Sequence, residues 1–264
     1  KKIGLVDRPG GRKKHLGDIP LIGGISIYFV LGSFAAFTGY FSNDWKWVLG
    51  VASILIIIGL VDDLWNIRPV YKLGTQIIVA ILMMFGTGDF IQTIAYLPSG
   101  HSINIAQLGY FITLFAVVGL INAFNMMDGI NGLCSGCSML ALMLIGFYSG
   151  LIYDSMLVLI IGSMIGFMLF NLGVFGKKRG VFLGDSGSNL VGFWVAWIAI
   201  YSSQSEIYSI EPITVLWFVA IIAHGTNGLG KLMSVSIKKN GVVAFFHRLR
   251  SIVQLMKLVV VMGY

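Results

Sequence analysis

The feature that most constrains this chain is a series of long apolar runs separated by short polar interruptions. Nine stretches carry almost no charge: 21–41, 47–61, 73–92, 107–124, 133–152, 156–173, 187–203, 212–231 and 242–262. Most have roughly the 17–25 residues that a helix needs to cross a bilayer, 47–61 being short by that measure. Within hydrocarbon each backbone N–H and C=O must be satisfied inside its own segment, so runs of this kind fold as helices. The expectation is an all-α, polytopic membrane bundle of about nine spans, forming one transmembrane domain over 1–264 in contact with the lipid bilayer.

Composition supports this and excludes other classes. Charged residues make up 11% of the chain and hydrophobic ones 57%, whereas a soluble domain is about one quarter charged. The net charge of +7 comes from short runs between apolar segments, and the aromatics lie inside those segments. A nucleic-acid binder needs a basic face with interleaved aromatics, so no nucleic-acid partner is expected. Cys134 and Cys137 form a lone CxxC at the start of an apolar run. With no further metal ligands nearby, they are expected to be small core residues. Gly225 to Lys231 nearly matches a phosphate-binding GxxxxGK loop, but Leu232 stands where Ser or Thr is required. No signal-peptide pattern opens the chain. It starts at Lys1 rather than Met, and an N-terminal piece is expected to be missing.

The basic residues fix an expected orientation, because Lys and Arg concentrate in cytoplasmic loops. Lys1, Lys2, Arg8, Arg12, Lys13 and Lys14 precede the first run, in a basic segment over 1–20. Arg68 and Lys72 follow the second run, Lys177, Lys178 and Arg179 the sixth, and Lys238 and Lys239 the eighth. The opposite side carries Asn43, Asp44, Lys46, Asp89, His101, Asp154, Glu206 and Glu211. The basic side is therefore expected to face the cytoplasm of a bacterial cell, across its inner membrane.

The polar clusters all fall on that basic side. Asp62 and Asp63 end the second run, in IIIGLVDD. Adjacent carboxylates repel unless a cation or a proton lies between them, so the pair reads either as a solvated helix end or as a magnesium site or general base. The fourth run ends in INAFNMMDGING, where Asn122, Asn125, Asp128 and Asn131 are spaced three apart and share a face if the helix continues. The plainer reading is a capped helix terminus. Asp185 in VFLGDSGSNL reads as a further carboxylate of the site, as an N-cap for the seventh helix, or as both, with Ser186 and Ser188 placed to donate to phosphate oxygens. Lys72, Lys177, Lys178, Arg179 and Arg248 would steer and clamp phosphates. Magnesium takes one or two carboxylates together with substrate phosphate. Carboxylates and basic residues at one membrane face thus suggest phosphoryl transfer to a lipid acceptor.

Four segments, VDRPGGRKKHLGDIPLIGGISIY, GLVDD, NAFNMMDGINGL and FLGDSGSNLVGF, resemble in order and spacing the polyprenyl-phosphate N-acetylhexosamine-1-phosphate transferases. The resemblance runs from about Lys1 to Ala220. Within the family it is nearest to the members that act on UDP-GlcNAc and undecaprenyl phosphate, yielding undecaprenyl-diphosphate-GlcNAc and UMP with Mg2+ or Mn2+ to begin a cell-surface polysaccharide. By matching positions it implies that Asp62, Asp63 and Asp128 are catalytic and that Asp185, Asn125 and Asp63 hold the metal. It further implies that Asn131, Lys72, Gly23, Gly24, Ser186, Ser188, His247 and Arg248 contact substrate. Direct attack and a covalent aspartyl-phosphate route both remain open, as do the separate roles of Asp62 and Asp63. A homodimer is compatible with the resemblance.

Two departures from the family pattern stand out. Asn131 occupies a place where bacterial members usually carry Asp, and the segment 223–264 lacks the family's histidine-rich loop, with His247, Arg248 and Arg250 the nearest substitutes. The sequence leaves two other readings open. One is a transporter with a cytoplasm-facing carboxylate ion site, since intramembrane carboxylates often mark ion paths. The other is an impaired homologue that binds nucleotide sugar without turning it over.

Overall fold

The computed structural model describes residues 4–7, 17–39, 42–96, 101–176, 179–205 and 212. The sixth apolar run and those before it, together with the seventh, appear as helices. They are α1 (Gly23–Thr38), α2 (Asn43–Trp65), α3 (Pro69–Thr87), α4 (Leu108–Met127), α5 (Leu133–Ser149), α6 (Ser155–Asn171) and α7 (Gly184–Gln204). The two further runs, at 212–231 and 242–262, lie almost wholly outside the described residues. Three helices, α2, α3 and α4, are long and apolar enough to cross a membrane, and α1, α5 and α6 are shorter apolar helices. The described chain is thus mainly helical.

It is not purely helical. Strands β1 (Val6–Asp7) and β2 (Ile19–Pro20) pair antiparallel, as do β3 (Thr93–Tyr96) and β4 (Ser102–Asn104). Their polar and glycine-rich surroundings hid such short strands from a reading based on apolar runs.

Helix α7 is the axis of the bundle. It packs against α1, α2, α4 and α5, and nearly every residue from Ser186 to Ser203 is buried. This explains why it carries Ser186, Ser188, Asn189, Ser202 and Ser203 and yet lies inside: its neighbours are protein on most sides, so small polar residues permit close approach. Lipid is left to the outer faces of α1, α3 and α4, where Phe37, Phe85 and Phe115 stand exposed.

At one end of the bundle, Trp197 of α7 lies edge-on to Trp45 of α2, with ring centroids 4.6 Å apart, and its indole N–H donates to Asp89 Oδ2 at 2.8 Å. Two turns further, Gln204 accepts from the N–H groups of Gln92 and Thr93, both at 3.0 Å, and donates to the Thr93 carbonyl at 3.1 Å. These contacts tie the β3–β4 hairpin to the last turn of α7. At the opposite end lie the start of α1, the end of α2, the starts of α3 and α5, the ends of α4 and α6, and the start of α7.

The N-terminal segment is stitched to that second end. Phe182 N–H donates to the Pro20 carbonyl at 2.9 Å, Gly23 N–H to the Phe182 carbonyl at 3.0 Å, and Gly24 N–H to the Leu183 carbonyl at 3.1 Å. Gly23 and Gly24 therefore act by close approach. A Cβ on Gly23 would meet Phe167 and the Leu183 backbone, and one on Gly24 would meet the backbone of Ser186 and Gly187.

Candidate active site

Helix α2 carries Asp62 and Asp63 in its last turn, and they do different work. Asp62 is buried, with 7% of its surface exposed. Its Oδ1 accepts from Ile67 N–H at 2.9 Å, and its Oδ2 accepts from the Lys72 ammonium at 2.6 Å. Lys72 lies one turn into α3, which Pro69 starts with its φ already set for a helix. The same ammonium reaches Asp185 Oδ2 at 2.7 Å. One lysine thus bridges two carboxylates from two other helices.

Asp63 faces the start of α7 instead. Its Oδ1 accepts from Asp185 N–H at 2.9 Å, and its Oδ2 lies 3.4 Å from Ser186 N–H and 3.3 Å from the Ser186 hydroxyl. The first N–H groups of a helix have no partner of their own and favour an anion. Leu183, at the N-cap position, has no side-chain hydrogen bond to offer. A carboxylate from α2 therefore caps α7, and Asp185 does not cap its own helix. Gly184 makes this approach possible: its φ is +76°, and a Cβ there would fall 2.7 Å from Asp63 Oδ2.

Asn125 of α4 completes the ring. Its Nδ2 donates to Asp185 Oδ1 at 3.0 Å and to the Ser188 hydroxyl at 2.9 Å. Helix α4 ends at Met127, and the spacing through Asn131 does not continue as a helix face. Asn122 points elsewhere, donating to Gln76 Oε1 at 2.6 Å as an α3–α4 link. Asp128 lies just past the helix, near the Gly184 backbone. Asn131 lies exposed in the loop between α4 and α5.

The structure therefore brings together Asp62, Asp63, Lys72, Asn125, Asp128, Asp185, Ser186 and Ser188. Ser186 and Ser188 are fully buried and spend their hydroxyls on Asp63, Asn125 and the Asp185 carbonyl. Their place is behind the carboxylates rather than on an open phosphate-binding surface. Cys134 and Cys137 are buried thiols with no disulfide between them, as expected of core residues. Arg179 is exposed on the segment before α7, while His247, Arg248, Arg250, Lys177 and Lys178 lie outside the described residues. Two side chains that local motifs did not flag also matter here, Gln76 and Asn171. Each is a lone amide in an apolar helix, which was the available signal: burying such a group without a partner costs several kcal/mol, so a partner must exist.

Among the described residues, no three His, Cys, Asp or Glu side chains converge in a way that holds a metal ion. The donor chemistry nevertheless suits a hard divalent cation. Asp62 and Asp185 already share one positive charge, and magnesium needs only one or two protein carboxylates when phosphate supplies further oxygens.

Burial, followed by the charges of Asp185 and Asp63, holds the Asp128 carboxyl well above the ordinary carboxylate range. A raised folded-state value means that folded Asp128 holds its proton to higher pH than the unfolded chain does. Its contribution to stability is full below the unfolded-state value of about 4 and is lost as pH rises through the folded-state value. Thermal unfolding in detergent across pH 4 to 9 is expected to show the parent losing stability faster than Asp128→Asn, by up to about 1.4 kcal/mol per pH unit inside that window. Parallel curves would refute this account of Asp128.

Comparison with known proteins places this arrangement. Residues 45–203 match glycosyl transferase family 4, a segment that includes each of the clustered side chains above. An undecaprenyl-phosphate alpha-N-acetylglucosaminyl 1-phosphate transferase of Escherichia coli (strain K12) is 37% identical over 225 residues, covering 84% of this chain and 61% of the relative. The protein of the same description from Salmonella typhi is 35% identical over 224 residues, covering 83% and 61%. That from Haemophilus influenzae is 36% identical over 233 residues, covering 83% and 63%. The chain thus spans about three fifths of the length of these curated relatives.

Proposed function

The chain belongs to glycosyl transferase family 4, and from that premise we propose that it transfers GlcNAc-1-phosphate from UDP-GlcNAc to undecaprenyl phosphate, as the first membrane step of O-antigen or common-antigen synthesis. The observation that carries this reading is the Lys72 ammonium held between Asp62 and Asp185, at 2.6 and 2.7 Å, beside a helix start capped by Asp63. Three charged groups so arranged have exchangeable partners: a diphosphate draws the ammonium away and leaves the carboxylates for a cation or a proton.

In the proposed reaction an oxygen of the acceptor phosphate attacks the sugar-bearing phosphorus. The bond from that phosphorus to the oxygen of the uridine-bearing phosphate breaks, and its electron pair leaves with UMP. Asp62, whose Oδ2 faces the site, takes the acceptor phosphate's remaining proton. Asp63 keeps α7 in place through Asp185 N–H. Lys72 turns to the diphosphate. Asp128 and Asn131 lie on the side of the nucleotide sugar, and Gly23 and Gly24 on the side of the lipid phosphate. Mg2+ or Mn2+, held by Asp185 and Asn125 with Asp63, would neutralise the diphosphate and the departing UMP. His247 and Arg248 are proposed as a further diphosphate clamp.

The same reading includes about nine spans in one transmembrane domain, with a basic cytoplasmic segment over 1–20 and an atypical part over 223–264. It puts the site at the cytoplasmic face of the bacterial inner membrane and allows a homodimer. A transporter is disfavoured, because ion paths need polar groups through the membrane depth, whereas these carboxylates gather at the ends of α2 and α4 and the start of α7.

Mass spectrometry of the lipid product tests the substrate. With undecaprenyl phosphate and Mg2+ supplied, UDP-GlcNAc is expected to yield undecaprenyl-diphosphate-GlcNAc at least tenfold faster than UDP-GalNAc yields its counterpart. Nucleotide-sugar binding with no lipid product would instead favour the impaired homologue.

A further inference from the structure

We infer that Asn171 is a positioning residue that locks the loop between α4 and α5 to the segment leading into α7, so that the two walls of the site move as one. Asn171 is the last residue of α6 and is buried, 7% exposed. Its two side-chain hydrogen bonds go to backbone and not to the clustered carboxylates. Its Oδ1 accepts from Gly132 N–H at 2.6 Å, and its Nδ2 donates to the Val181 carbonyl at 2.8 Å. Both ends of one carboxamide are thus spent on backbone, and each end serves a different loop.

The two backbone groups are well chosen. Gly132 closes the stretch that holds Asp128 and Asn131, and it is the residue from which α5 starts. Its φ is +74°, a left-handed conformation in which its N–H turns back from the helix toward α6. Val181 stands four residues before Asp185 and next to Phe182, whose N–H and carbonyl are stitched to Pro20 and Gly23. Asn171 and Val181 are ten positions apart, so the second bond also closes the base of the excursion that bears Arg179. Sequence-distant groups are thereby joined: Asp128 and Asn131 on one side, Asp185 and the α1 start on the other.

The carboxamide matches both ends. The pocket supplies one N–H and one C=O, and Asn offers one acceptor and one donor at the right separation. Asp keeps the shape and the acceptor but sets a carboxylate oxygen against the Val181 carbonyl. Leu keeps the approximate volume and makes neither bond.

That difference yields a test that needs no substrate. Hydrogen–deuterium exchange would be followed in peptides spanning 128–135 and 179–186, in the parent, Asn171→Asp and Asn171→Leu proteins. The parent is expected to be protected in both. Asn171→Leu should speed exchange in both by tenfold or more and leave 47–60 unchanged. Asn171→Asp should keep 128–135 protected and release 179–186, a split that a general packing role does not produce. Equal exchange in the parent and Asn171→Leu, or identical patterns in the two variants, would overturn the inference.

The catalytic consequence rests on the proposed transferase reading. The KM for UDP-GlcNAc should rise about tenfold in Asn171→Leu, with kcat within about threefold of the parent. An unchanged KM in a turning-over enzyme removes the positioning role. If the exchange pattern appears as expected while the parent turns over no nucleotide sugar, the transferase reading fails and the bracket stands.

Discussion

Replacing Lys72 with methionine is expected to lower transfer by about 10²–10³-fold, the scale of removing one preorganised electrostatic group from a phosphoryl-transfer site. In the parent, Lys72 Nζ lies 2.6 Å from Asp62 Oδ2 and 2.7 Å from Asp185 Oδ2. Methionine fills much of the same volume but leaves the two carboxylates without the charge they share. Asp185 retains the Asn125 amide, and Asp62 retains the Ile67 N–H. Stability should also fall, and the exposure of the partners limits how far: the side chains of Lys72 and Asp185 are 22% and 32% exposed, so solvent screens part of the interaction. A loss of about 1–3 kcal/mol is expected, between the values for surface and buried pairs. Lys72→Arg should not rescue fully. A planar guanidinium does not fit a position where one compact ammonium meets carboxylates from two helices. Steady-state kinetics with both variants decides the matter, and activity within a few-fold of the parent in Lys72→Met would show that the bridge is not part of the mechanism.

The second large effect comes from a residue with no side chain. Gly59 of α2 lies where α2 and α7 come closest, and a Cβ there would meet the backbone of Asp185 and Ser186. Backbone atoms cannot swing aside, so Gly59→Ala must push the two helices apart. Overpacking of this kind costs about 1–3 kcal/mol and occasionally more. The displacement falls on the contact that matters, because Asp63 sits one turn further along α2 and caps α7 through bonds of 2.9 and 3.4 Å. Transfer should therefore drop about 100-fold or more, since geometry at such sites tolerates little misplacement. Gly50→Ala is the matched control. It lies in the same helix with nothing near its added methyl, and alanine there should stabilise by about 0.5–1 kcal/mol through helix propensity. Equal behaviour of the two variants in thermal unfolding would contradict the packing described here.

Much of this site can be read from the sequence because the membrane makes charge conspicuous. Asp62, Asp63, Asn125, Asp128 and Asp185 interrupt or end apolar runs, and the Lys and Arg pattern put all of them on one side before any contact was known. The structure gathers the same residues at one end of the bundle. What the sequence does not show is who meets whom. Asp63 and Asp185 are 122 positions apart, and nothing local to either says that one caps the helix of the other. For that reason an N-cap role for Asp185 stays open in the sequence. The glycines of VFLGDSG permit close approach, but only the structure shows that Asp63 makes it at Gly184. Ser186 and Ser188 looked like phosphate ligands because small hydroxyls beside glycine suit that role; burial against α2 and α4 gives them another. Asn122 fell in register with Asn125, yet α4 turns it toward Gln76. Asn171 has a local signal, a lone amide in an apolar helix, but its two partners come from loops on either side of the site and are set by tertiary packing alone.

The measurement that tests the central claim most directly is UMP release by purified protein given UDP-GlcNAc, undecaprenyl phosphate and Mg2+, with Asp62→Asn and Asp185→Asn proteins alongside and EDTA as a control. The account predicts UMP only when lipid and metal are both present, and a loss of at least about 100-fold in each variant. UMP release that is independent of the lipid, or that survives both substitutions, would contradict it.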